Sequence, residues 1–249
     1  MIDGRAPIES FDELDSTMLE ARRRAERGEL GPVWLIARRQ TAGRGRRGRA
    51  WMSFDGNLLA THLFMTALPP AEIALLGFAA GIAIAETIEA MGGVGRVALK
   101  WPNDVMIDGA KTAGILIDSG ALGGGRLWVA LAFGINISAA PRAIDQPTSC
   151  VRMVLPHDVA TPSSTEFFNA LRPRLETWAA RLAEEGFEPL RRAWLSRAQG
   201  LGHQVRVLQG DQALEGRVAG LSARGELELD TQDGRRLIAA GDVFFSNAA

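Results

Sequence analysis

The chain has 249 residues, of which 47% are hydrophobic and 23% charged, a balance that suits a soluble globular protein with a real core. A net charge of −1 argues against a protein built mainly to grip nucleic acid, and the single cysteine, Cys150, rules out an internal disulfide. Asp3, Glu9, Asp12 and Glu13 break up any signal-like apolar run, so the cytoplasm is the expected setting.

Strand-like alternation begins at Ile8-Glu9-Ser10-Phe11. Thr17 followed by Glu20 has the spacing of a capping box, which predicts a helix from about Thr17 to Gly28. The hydroxyls of Ser16 and Thr17 then sit at a helix start, able to cap it or to meet a small polar ligand. Val33-Trp34-Leu35-Ile36-Ala37 reads as a buried strand.

Behind that strand, residues 43–49 pack four arginines and three glycines into seven positions. Glycine lets backbone N–H groups approach an anion, and arginine offers a planar fork of donors that matches carboxylates and phosphates. Gly43-Arg44-Gly45-Arg46-Arg47-Gly48 also spells a dinucleotide fingerprint, but no helical period follows, as that motif requires. A nucleic-acid patch and a plain solvated loop remain alternatives for the loop taken alone.

Residues 57–65 read as a strand, with His62 as a lone structural histidine. Pro69-Pro70 opens a helix over 70–91. Its apolar positions Ile73, Leu76, Ala80, Ile84 and Ile88 point to core, and Glu72, Glu86 and Glu89 argue against a membrane span. Strands follow at 97–101 and 105–107, and Asp108-Gly109 is a hairpin signal. The return strand starts at Lys111, whose amine can reach into a cleft. Of 28 basic residues only Lys100 and Lys111 are lysines, a hint that a compact charge is wanted here. A strand over 127–137 holds Gly134, where a side chain would obstruct something, and Asn136, which needs a partner in backbone or ligand.

Helical spacing covers 165–185, with Pro173 expected to kink or split it. A second amphipathic stretch covers 187–198, and residues 199–202 read as a linker. Beyond it, about five short strands with turns at Gly210-Asp211, Ala223-Arg224-Gly225 and Gln232-Asp233-Gly234 predict a small barrel.

Three blocks, Gly43 to Arg49, Lys100-Trp101-Pro102-Asn103-Asp104 and Lys111-Thr112-Ala113-Gly114-Ile115-Leu116, together resemble the signatures of biotin protein ligases. The resemblance spans roughly residues 8 to 245. It implies an α+β fold: a mixed β-sheet packed with helices, class II aminoacyl-tRNA-synthetase-like, over 1–199, and a small C-terminal SH3-like barrel over 200–249. It implies an ATP-dependent ligase that makes biotinyl-5′-AMP and passes biotin to a lysine of a carboxyl carrier protein, with Mg²⁺ on the nucleotide and no metal ligand from protein side chains.

By the same resemblance Lys111 and Arg44 are catalytic. Ser16, Thr17, Met18, Gln40, Gly43, Arg44, Gly45, Arg46, Lys111 and Gly114 hold biotin. Arg46, Arg49, Trp51, Asn103, Asp104, Lys111 and Asn136 serve the nucleotide. Met18 stands where the family often has Asn, Asp118 where it has Glu, and Ala132 where it has Gly. The resemblance implies the monofunctional type, without a DNA-binding domain, a nucleic-acid partner or a membrane. A homodimer stays open. The rival readings are a lipoate ligase, which shares the acyl-adenylate logic, and a single-strand nucleic-acid binder using the arginines and Trp51.

Overall fold

A computed structural model describes residues 2, 5–142, 146–210 and 212–245. Asp3 and Asp211, used above, lie outside them. Strands β1 (Ile8–Leu14), β2 (Val33–Gln40), β3 (Leu58–Thr66), β4 (Val97–Lys100), β5 (Asp104–Ile107), β6 (Ala110–Gly123) and β7 (Arg126–Ile135) form one sheet, ordered β1-β2-β3-β7-β6-β5-β4. Only β1 and β2 run parallel, so the sheet is mixed, as expected. The Asp108-Gly109 signal holds: both residues have positive φ, 49° and 75°, between β5 and β6.

The two faces of this sheet differ. Helix α2 (Pro70–Ile88), α3 (Ser164–Glu185) and α4 (Glu188–Leu195) cover one face over the main core, where Phe64, Ile82, Ile84, Phe167 and Leu171 are fully enclosed. The 70–93 segment is long and apolar enough to cross a membrane, but 72% of its most apolar window is buried inside the protein. His62 is buried in the sheet, stacked on Trp34 at 4.3 Å and Phe64 at 5.0 Å, in keeping with a structural histidine.

The other face is only half covered. Helix α1 (Thr17–Glu26) lays Ala21 and Ala25 on Val33, Leu35, Leu63, Trp128 and Ala130. Beyond its N-terminus the sheet presents Gly114, Ala132 and Gly134 instead of bulky side chains. Gly114 and Gly134 are paired across β6 and β7. Small residues at those positions leave room above the strands.

Two sequence expectations are corrected here. The capping box at Thr17 does not form. Ser16 is the N-cap and its side chain caps nothing. Gln40, reaching over from β2, accepts from the Thr17 N–H at 2.8 Å and from its hydroxyl at 3.0 Å. Glu20 turns instead to Arg23 and Arg24. Pro173 does not split α3 either: the helix runs unbroken for 22 residues. It is started by a capping box between Ser163 and Glu166, just ahead of the span that apolar spacing marks.

The C-terminal strands β8 (Gln204–Gln209), β9 (Gln212–Leu221), β10 (Leu227–Thr231), β11 (Gly234–Ile238) and β12 (Asp242–Phe245) form an antiparallel sheet, ordered β11-β10-β9-β8-β12. It seats on the larger part through Gly225, whose carbonyl accepts from Trp101 Nε1 at 3.0 Å. A Cβ on Gly225 would fall 2.8 Å from the Phe78 ring, and its φ of 76° independently favours glycine.

Candidate active site

The uncovered face opens into a cavity of about 570 Å³. Its floor is the Gly114–Gly134 pair, and the indole of Trp51 lies across it. A Cβ on Gly134 would sit 2.5 Å from Trp51 Nε1, and one on Gly114 would sit 3.1 Å from Trp51 Cζ3. Gly134 is therefore needed for close approach, as its place in an apolar strand suggested. The backbone N–H of Trp51 donates to the Gly43 carbonyl at 2.9 Å, which fixes where the residue enters.

At one end the wall is weakly polar and apolar. Ser16 and Thr17 are each 2% exposed, and Met18 and Gln40 join them. Thr61 Oγ1 donates to Thr17 Oγ1 at 2.8 Å, so the hydroxyl cluster is held from the sheet side. Leu116, Ala132, Trp51 and Met52 extend the apolar surface toward the centre.

Lys111 lies at the centre. A bulge in the β5–β6 ladder falls between Val105 and Met106, beside Lys111, and bulges re-aim side chains. The backbone of Lys111 is clamped by Pro147 and Ser149. Its Nζ pairs with Asp104 Oδ1 at 2.7 Å, with both side chains largely enclosed, and lies 5.9 Å from the centre of the Trp51 ring. Removing one member of such an enclosed pair strands the other's charge.

The far end is cationic. Residues 41–50 form a loop closed by an Arg44–Ala50 bridge and a short 3-10 turn over Arg46–Gly48. Arg44, Gly45, Arg46 and Arg49 reach the cavity, with Lys100, Asn103 and Arg142. Burial pushes the Lys100 ammonium below its ordinary pKa, and its Nζ lies 5.5 Å from the Phe245 ring centre. Six cationic side chains line the cavity, and no carboxylate does among the described residues. Such a wall attracts anions.

Most residues expected at the site share this cavity. Gly43 and Asp104 stand behind the wall. Gly43 packs so tightly that a Cβ would meet the Trp51 carbonyl at 2.6 Å, and Asp104 pairs with Lys111. Asn136 lines the cavity but its amide is spent internally, accepting from Asn57 at 3.2 Å and donating to Ser149 O at 3.2 Å. Asn103 accepts from Arg46 and donates to Ile115 O. Asp118 faces Arg22 on α1 at 3.6 Å, not the cavity. Lys100, Met52, Thr148 and Phe244 were not foreseen as wall residues. The scarcity of lysine was the one signal for Lys100, and nothing in the sequence marked Phe244.

Residues 14–136, which supply the loop and most of the floor, match the Biotin/lipoate A/B protein ligase family, so fold and site define a ligase of that broad class. Residues 200–246 match the biotin protein ligase C-terminal domain. A biotin–[acetyl-CoA-carboxylase] ligase of Paracoccus denitrificans is 38% identical over 93% of this chain and 97% of its own length. The chain belongs to the biotin protein ligase family, and it is an enzyme. A Mycobacterium tuberculosis relative of the same description is 31% identical, with 89% of this chain and 82% of that protein covered. The biotin protein ligase of Aquifex aeolicus, solved in complex with biotin and ATP, superposes with a TM-score of 0.80 at 27% identity, covering 96% of this chain and 99% of that one.

Proposed function

We propose that the chain condenses biotin with ATP to biotinyl-5′-AMP and then transfers the biotinyl group to a lysine of a biotin carboxyl carrier protein. The observation that carries this reading is the cavity wall: six cations, no carboxylate among the described residues, and one of its two lysines at the centre of the floor. A carboxylate must attack an α-phosphate, and two anions repel. Fixed cations that face both reactants remove that barrier without reorganising at the moment of reaction.

In this reading Ser16, Thr17 and Gln40 meet the ureido ring, and Met18, Leu116 and Ala132 flank the aliphatic tail. Lys111 and Arg44 face the carboxylate and α-phosphate. Arg44 has no carboxylate partner among the described residues, whereas Arg46 and Arg49 both pair with Asp242, which supports giving Arg44 the reacting anion. Arg46, Arg49 and Asn103 attend the polyphosphate, and Trp51 shelters the mixed anhydride from water. The carboxylate oxygen forms a bond to Pα as pyrophosphate leaves. The carrier amine then bonds to the acyl carbon, AMP leaves with the electron pair, and the amine loses its proton.

Mg²⁺ would enter with the nucleotide and supply charge screening of its phosphates. No three His, Cys, Asp or Glu side chains converge among the described residues to hold it. We read the chain as two domains that meet near Gly200, acting in the cytoplasm without nucleic acid. The outer edge of β1 is a place where a second copy could add a strand.

Lys111→Ala should lose some stability, because Asp104 is left unpaired, and lose adenylation by about 10²–10³-fold, a single-donor effect. The measurement is pyrophosphate release with biotin and ATP. A rate near wild type removes Lys111 from the reaction. Calorimetry with biotin and then lipoate, each beside a non-hydrolysable ATP analogue, separates the two ligase readings.

A further inference from the structure

Arg47 breaks the pattern of its loop. Arg44, Arg46 and Arg49 reach the cavity, but Arg47 does not. Its backbone lies in the left-handed region, φ 54° and ψ 32°, a conformation uncommon outside glycine, asparagine and aspartate. Its guanidinium meets Asp242 Oδ2 at 2.8 Å and the Leu208 carbonyl at 3.4 Å. Both partners belong to the C-terminal sheet.

Asp242 has further partners. Arg49 Nη2 donates to its Oδ1 at 3.1 Å, and Arg46 Nη1 lies 3.6 Å from the same oxygen. Arg46 also donates from both Nη atoms to the Gly241 carbonyl at 3.2 Å. One carboxylate, 17% exposed, therefore gathers three guanidinium groups of one loop. Without it, three like charges within four residues would repel. With it, two positive charges remain unbalanced, so the loop can be held closed and still attract an anion.

We infer that Asp242 is a positioning residue: the C-terminal sheet uses it, with Arg47, to latch the glycine-arginine loop shut over the cavity, and the strength of that latch sets how long the acyl-adenylate is retained. This deepens the ligase reading and rests on it. The latch gives the C-terminal sheet a defined part in the reaction. Handing the adenylate to a carrier requires the three arginines to let go of one oxygen pair.

The test uses the full chain and three variants, Asp242→Asn, Asp242→Glu and Arg47→Gln. Arg47 is exposed and off the cavity, so its replacement spares both fold and wall. Release of preformed biotinyl-5′-AMP is followed by a chase, and amide hydrogen exchange is followed over residues 44–50 without ligand. Asp242→Asn and Arg47→Gln should each release the adenylate about tenfold faster, equivalent to about 1.4 kcal/mol. Each should also raise exchange in the loop. Asp242→Glu should restore much of both, and the double variant should be little worse than Asp242→Asn alone, since that substitution already weakens the Arg47 pair along with those to Arg46 and Arg49. Unchanged release and exchange overturn the latch. Tighter ATP binding by Asp242→Asn overturns it too, because Asp242 would then be a competitor for the arginines. If wild type forms no adenylate, the ligase reading fails, and the exchange arm still decides whether the latch exists.

Discussion

At the scale of single residues, the site depends on where charge is held away from water. Lys100 sits on the cavity wall with burial lowering its pKa, and only then do its neighbours matter, Asp104 raising it and Lys111 lowering it. The sign follows from linkage. Below its folded-state pKa, Lys100 is charged in both states and the folded protein bears the cost of burial. Between that value and the unfolded 10.5, the unfolded chain holds a proton that the folded one lacks, so stability rises with pH. Lys100→Met should be more stable than wild type at neutral pH, and the advantage should shrink as the pH approaches 10.5. Urea denaturation across that range measures it, and a constant difference would mean that burial does not govern this lysine. The same substitution should weaken nucleotide binding, the usual exchange of stability for a charged site.

At the scale of elements, α3 offers the clearest test. Pro173 sits mid-helix on an exposed face, where it removes a backbone donor and crowds the preceding turn. Pro173→Ala should raise the unfolding free energy by about 1–2 kcal/mol, the recovered helix bond offset by greater freedom in the unfolded chain. Thermal melting checks this, and a lower midpoint would show that the ring serves a packing role. Elements were largely readable from the sequence because period and turn chemistry are local: Asp108-Gly109 set its hairpin, and the spacing of Ile73, Leu76, Ala80, Ile84 and Ile88 marked the core helix. The errors arose where a distant group won a local contest. Gln40 took the N–H at Thr17 that a capping box would have used, and tertiary packing carried α3 through Pro173. Much of the site was readable because its residues cluster in three short blocks. The link from Arg46 to Gly241 spans 195 residues and leaves no trace in periodicity or composition.

At the scale of the molecule, the two sheets share one core. Val205, Val207, Leu221, Leu227 and Leu229 belong to the same buried cluster as Phe78, Trp101 and Trp194. Cooperative unfolding should follow: calorimetry of the ligand-free chain should give one transition, with calorimetric and van't Hoff enthalpies equal. Two resolved peaks would show that the C-terminal sheet melts on its own. The distribution of lysine has a consequence of its own for a protein that manufactures an acylating agent. The chain holds 28 basic residues yet only two lysines, and both lie in the crevice wall. Everywhere else the exterior cation is arginine, whose guanidinium stays protonated and does not compete as a nucleophile. A mixed anhydride that strays into solvent therefore meets an arginine-coated exterior that offers it no lysine side chain to acylate.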